Sequence, residues 1–146
     1  MSGFTLMELM IAVTIAAILF ALALPSFNNA IANSKLTSNA NAMIGSINYA
    51  RNEAIARNQT VSIGPEGTGW VVRVGLGAEE LRRFEPPIDN ISITTDLPGL
   101  TYEPTGYRPR GSLQDTITIC DTKRNIGRLI TVEASGSTSI QDLSSC

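Results

Sequence analysis

From Phe4 to Leu24 the chain runs for 21 residues in which only Thr5, Glu8 and Thr14 are polar, and no charge occurs between Glu8 and Lys35. As a helix rising 1.5 Å per residue, such a run spans roughly 31 Å, about the hydrocarbon core of a bilayer. It reads as a retained membrane helix. A buried core helix is the first alternative, but a chain of 146 residues rarely encloses a helix that is apolar on every side. A cleaved secretory signal is the second. That signal needs a basic n-region and an A-x-A-like site after the run. Here the run ends Ala21-Leu-Ala-Leu-Pro-Ser-Phe27, and no basic side chain precedes it.

Glu8 is the anomaly. A carboxylate in a membrane segment costs about 2.5–3.5 kcal/mol on insertion scales and usually marks function. One reading places Glu8 near the interface, tolerated at the positive end of the helix. The other gives it a positive partner. With no basic side chain nearby, that partner would be an α-ammonium, its own or a neighbour's.

Past the apolar run, Phe27, Ile31, Leu36, Ala40, Met43, Ile44, Ile47, Ala50, Ala54 and Ile55 recur mostly at three- and four-residue steps. Asn33, Lys35, Asn39, Asn41, Asn48, Arg51, Asn52 and Arg57 mostly take the other faces. The pattern predicts an amphipathic continuation to about Asn58, with a kink at Pro25, its apolar stripe packed on the protein's own sheet. After Gln59 the period changes. Thr60–Ile63, Trp70–Val74, Leu81–Phe84, Ile91–Thr95, Thr116–Cys120, Leu129–Val132 and Thr138–Ile140 read as short strands, with Gly64-Pro-Glu-Gly-Thr-Gly69 as a hairpin turn. The expected class is α+β, a long helix on a small antiparallel β-sandwich-like head. The divisions are 1–3, 4–25 (membrane half), 26–58 (amphipathic half) and 59–146 (head).

Composition narrows the chemistry. The absence of histidine removes Ser-His-Asp and Cys-His catalysis and His-ligated zinc. Glu79-Glu80 and the scattered aspartates form no acid/base constellation, and the 64–69 segment lacks the Lys-Ser/Thr of a phosphate loop. Neither an enzyme nor a cofactor or metal site is expected, and Trp70 is expected in the core.

The stretch Gly3-Phe-Thr-Leu-Met-Glu8, followed by the apolar run and Pro25-Ser-Phe27, resembles the type III signal of type IV pilins and type II secretion pseudopilins. That resemblance implies cleavage by a prepilin peptidase between Gly3 and Phe4 and methylation of the new Phe4 amine. It implies that Glu8 neutralises the Phe4 ammonium of an adjacent subunit during assembly. The helix would anchor the protein in the inner membrane, head in the periplasm, and later join a filament core with other major and minor pilins or pseudopilins. Leaders of this kind usually carry Lys or Arg, and Met1-Ser-Gly3 has neither. Either the true start lies upstream or other features set the orientation. Glu53-Ala-Ile-Ala-Arg57-Asn-Gln59, Leu100-Thr-Tyr-Glu-Pro-Thr-Gly106, Thr116-Ile-Thr-Ile-Cys120 and Gly127-Arg-Leu-Ile-Thr-Val-Glu-Ala-Ser-Gly136 are similar to the GspH/FimT/FimU group of minor pilins and pseudopilins.

Cys120 and Cys146 follow from that placement. An even pair facing an oxidising periplasm reads as a disulfide, with two free thiols as the alternative. Pilins often close their variable end this way.

A DNA-uptake role is the competing expectation. Some FimT relatives that act as DNA receptors share a basic G-R-x-R near the C-terminus, whereas Ser135-Gly136-Ser137-Thr138-Ser139 has no arginine. From Thr60 onward there are 8 basic and 11 acidic residues, the wrong sign for strong phosphate binding. Arg108, Arg110, Lys123, Arg124 and Arg128, with Tyr107 as a stacking face, are the candidate contacts if they cluster in space. The bland alternative is solvated loop charge.

Overall fold

The computed structural model describes residues 5–67, 69–75, 77, 79–85, 90–95 and 98–146, and leaves aside the side chains of residues 22–26. It divides into two compact units, Met1–Lys35 and Leu36–Cys146. Helix α1 (Leu6–Arg57) runs for 52 residues, rich in Leu, Ala, Ile and Met, which lose little freedom in a helix or bury well.

In the first unit the large described apolar side chains lie open, from Leu6, Met7 and Leu9 to Ile18, Leu19 and Phe20, whereas Ala32 is buried. Among the described residues, no helix is long and apolar enough to cross a membrane. The apolar run Phe4–Leu24 overshoots, at both ends, the stretch 5–21 whose side chains are described. That stretch alone is shorter than the roughly 20 residues a spanning helix needs. The kink expected at Pro25 lies outside the described side chains.

The helix ends as its sequence dictates. Asn58 takes a left-handed φ of 52°, which asparagine tolerates better than most residues. The Asn58 N–H donates to Ile55 O at 3.3 Å and the Gln59 N–H to Ala54 O at 3.2 Å. This six-to-one and five-to-two pair is a Schellman stop, and it satisfies two carbonyls the last turn would otherwise orphan.

In the second unit, among the described residues, eight strands make two four-stranded antiparallel sheets. They are β1 (Val61–Glu66), β2 (Gly69–Val74), β3 (Glu79–Phe84), β4 (Ile91–Thr95), β5 (Leu100–Tyr102), β6 (Asp115–Asp121), β7 (Ile126–Val132) and β8 (Thr138–Leu143). One sheet is ordered β3-β2-β1-β5, the other β4-β6-β7-β8. One core joins them to the helix: Leu36, Ala40, Met43, Ile47, Ala50 and Ala54 are buried with Ile63, Val72, Tyr102, Ile117, Ile119 and Ile130. The expected stripe is therefore largely right, except that Phe27, Ile31 and Ile55 stay exposed.

Two sequence expectations need correction. β5 is absent from the strands read from the sequence, yet it pairs with β1 through Val61–Tyr102 and Ile63–Leu100. Three residues are too few to display a period of two. The segment 64–69 is mostly strand rather than turn, because β1 continues to Glu66 and β2 begins at Gly69, and of the described residues between them Gly67 turns at φ 62°. Pro65 is tolerated because β5 stops pairing at Ile63, so the missing N–H there leaves no ladder bond unmade.

Candidate assembly and binding sites

At the start of α1 each polar group of the described apolar run is answered within the helix. Thr5 is the N-cap and Glu8 the third helical residue. The Thr5 N–H and hydroxyl each donate to Glu8 Oε2 at 2.9 Å, and the Glu8 N–H donates back to Thr5 Oγ1 at 3.3 Å. This reciprocal arrangement is a capping box. The Thr14 hydroxyl donates to Met10 O at 2.7 Å. Hydrocarbon offers no hydrogen bonds, so internal satisfaction is the condition for polar side chains to enter it. Besides an α-ammonium, the sequence offers Glu8 the partner Thr5, since T-x-x-E ahead of an apolar run is the capping signature. Gly3 and Phe4, the expected cleavage pair, lie outside the described residues.

The second site is the C-terminal clasp. Cys120 on β6 and Cys146 form a disulfide with Cα atoms 6.2 Å apart. It sits over Gly127, which faces Cys120 across the β6–β7 ladder. A Cβ at Gly127 would lie 2.7 Å from Ile119 O, 2.9 Å from Cys146 Sγ and 3.2 Å from Cys120 Sγ. The adjoining turn is built by Asp121, whose Oδ1 accepts from the Lys123 and Arg124 N–H groups at 3.0 and 3.1 Å. Asn125 closes it at φ 55°, and its Oδ1 accepts from the Cys146 N–H at 3.2 Å. Burial opposes ionisation of Asp121, but the Arg124 and Lys123 N–H groups and the Arg124 guanidinium outweigh it, and hold the carboxyl below its ordinary range.

The six candidate DNA contacts do not form one patch. Tyr107, Arg108 and Arg110 precede β6, whereas Lys123 and Arg124 follow it. A seven-residue strand separates the two groups by roughly 20 Å. Arg108 is buried in an ion pair with Asp115, the two side chains only 7% and 8% exposed. Arg124 pairs with Asp121 at 3.2 Å, and Arg128 Nε with Asp142 Oδ1 at 3.0 Å across the β7–β8 ladder. Arg110 and Lys123 are exposed, and neither forms an ion pair with a described residue. Sequence reading counted these cations without seeing that an aspartate answers each of three. Pairs such as 108 with 115 and 128 with 142 belong to the fold, not to local spacing. Trp70 is buried, as expected. Among the described residues, no group of His, Cys, Asp or Glu is placed to hold a metal ion.

Residues 1–24 match the family model of the prokaryotic N-terminal methylation motif, and residues 39–136 match that of the type II transport protein GspH. The fold is similar to two crystal structures of the type IV minor pilin FimU from Pseudomonas aeruginosa strain PAO1. One aligns with a TM-score of 0.67 at 21% identity, over 78% of this chain and 96% of that one. The other aligns at 0.63 and 21% identity, over 76% and 99%. The shared property is the α+β pilin fold. The N-terminal motif implies prepilin peptidase processing and a membrane-anchored protein that faces the periplasm.

Proposed function

The chain belongs to the GspH family of type II transport proteins, and from that premise we propose that it is a minor pilin or pseudopilin that assembles into, or primes, a type IV pilus or a type II secretion pseudopilus. The observation that carries this is the union of two features on one chain. A methylation motif covers residues 1–24 and a GspH match covers 39–136, and helix α1 extends from one into the other. The chain waits in the inner membrane as a single-pass protein, with residues 4–25 in the bilayer and 59–146 in the periplasm. Prepilin peptidase cuts between Gly3 and Phe4 and methylates Phe4. The helix then leaves lipid for a filament, bending at Pro25, and packs against other major and minor subunits. The role is structural rather than catalytic.

Glu8 acts in that transfer. In the single chain its Oε2 accepts two bonds from Thr5. A carboxylate has about four lone-pair sites, so the cap leaves capacity for a neighbour's Phe4 ammonium. Glu8→Ala is expected to leave the head folded, with unchanged circular dichroism, and to deplete the protein from assembled filaments by at least roughly tenfold, the loss of one desolvated charge pair. Normal assembly of that variant would falsify the role given to Glu8. The pairing of Arg108, Arg124 and Arg128 with aspartates supports this reading over DNA uptake.

A further inference from the structure

The two sulfurs of the clasp come from unlike surroundings. Cys120 lies on β6 between Ser92 of β4 and Gly127 of β7, and is only 7% exposed. Cys146 follows β8 and is exposed. Its N–H donates to Asn125 Oδ1 at 3.2 Å. Asn125 is held in turn, its own N–H donating to Asp121 O at 2.8 Å in the turn that joins β6 to β7.

A disulfide exchanges one sulfur at a time. A thiolate attacks one of the two sulfurs through a mixed disulfide, and access helps decide which. Buried sulfurs are inert to outside reagents, and exposed ones are open to them. The difference in burial therefore gives this bond a direction.

We propose that Cys146 is the exchange site of the clasp, the sulfur at which a thiol–disulfide oxidoreductase joins the chain, and that Asn125 is a positioning residue that holds Cys146 against Cys120. The N-terminal motif implies a head in the periplasm, an oxidising compartment, so exchange there runs towards closure. The Cys146 thiolate attacks one sulfur of the partner's disulfide. That bond breaks, and the partner's other sulfur leaves with the electron pair and takes up a proton. Cys120, having given up its proton, then attacks Cys146 Sγ. The bond from Cys120 to Cys146 forms as the partner's first sulfur leaves and is protonated. The partner ends as a dithiol, and the chain has lost two electrons and two protons. Opening by an external thiol runs through the same mixed disulfide on Cys146, with Cys120 as the leaving sulfur. In that intermediate Asn125 Oδ1 keeps the backbone of residue 146 beside β6, which raises the effective concentration of the two sulfurs for each other.

The test treats the oxidised full-length chain in detergent briefly with reduced glutathione, quenches with excess N-ethylmaleimide and maps both cysteines by mass spectrometry. The expected product carries glutathione on Cys146 and maleimide on Cys120, in at least roughly tenfold excess over the reverse arrangement. Comparable amounts of the two, glutathione mainly on Cys120, or a bond that glutathione does not open would each overturn the exchange site. Asn125 sits at φ 55°, which glycine also adopts, so Asn125→Gly removes the acceptor oxygen without straining the turn. It should raise the captured mixed disulfide by about threefold, the loss of one exposed hydrogen bond. Asn125→Asp keeps an acceptor oxygen and should match the unsubstituted chain. No rise in the glycine variant, or an equal rise in both, would overturn the role given to Asn125.

Discussion

Gly127 shows how one residue's lack of a side chain determines a neighbouring bond. The disulfide crosses the outer face of β6 and β7 where any Cβ would strike Ile119 O and both sulfurs. Gly127→Ala is expected to destabilise the head by about 1–3 kcal/mol, the usual range for overpacking. The loss should be larger in the oxidised protein than after reduction, when the sulfurs can move apart. Urea unfolding of both redox forms measures the difference, and equal losses would assign the effect to Ile119 O alone. Tyr102 makes the reverse case. Its ring is fully buried, and burial drives its hydroxyl up to about 12, against smaller opposing effects of Arg108 and Arg51. The folded state therefore prefers the neutral phenol. That contribution is complete below the unfolded value of 10 and is lost as pH rises from there through about 12. Tyr102→Phe removes a buried hydroxyl without a described partner, so it should be close to neutral at pH 7 and should lessen the alkaline loss. Thermal unfolding across pH 8–12 checks both statements, and a substantial loss on substitution at pH 7 would show that the hydroxyl has a partner.

Among the elements, β8 depends most on a covalent tie. It is an edge strand, held on one side by β7, and most of its side chains are exposed. The bond from Cys120 to Cys146 closes a loop of 26 residues, worth roughly 3.5 kcal/mol in the chain-entropy model. Cys146→Ser should lower head stability by about that much. Amide exchange should speed up first in β8 and the 121–125 turn, while β1 and β2 stay protected. A uniform loss would mean that the clasp acts only through the unfolded chain. The long helix and most strands were legible because α1 carries its period over many turns, Asp115–Ile119 of β6 alternates, and turn residues bound the other apolar runs. The Cys120–Cys146 bond was legible because only two cysteines exist. β5 was not, because three residues carry no period. The division of five of the candidate contacts between the two ends of β6, with Arg128 on β7, was also hidden, since chain distance between residues 110 and 123 says nothing about which side of a strand each occupies.

Over the whole molecule, the two halves of the sequence answer to different solvents. Every member of the head's core cluster lies at or beyond Leu36. The described polar groups of the apolar run are satisfied within their own first turns. Folding of the head therefore owes little to the apolar run, and on the proposed reading that run enters lipid without help from the head. This separation suits a subunit that exchanges a bilayer for a filament, because the exchange can proceed without refolding the head. A chain cut to begin at Asn28 keeps the whole cluster and loses the apolar run. It should be soluble and unfold with a free energy, from denaturant titration, within about 0.5 kcal/mol of the full chain's in detergent, the limit expected for changes at distant, independent sites. On the proposed reading, the full chain partitions with membranes and the shortened one should not. A large loss of stability in the shortened chain would show that residues before Asn28 support the head. Assembly could then not be a rigid transfer, and the head would have to change as the helix leaves the membrane.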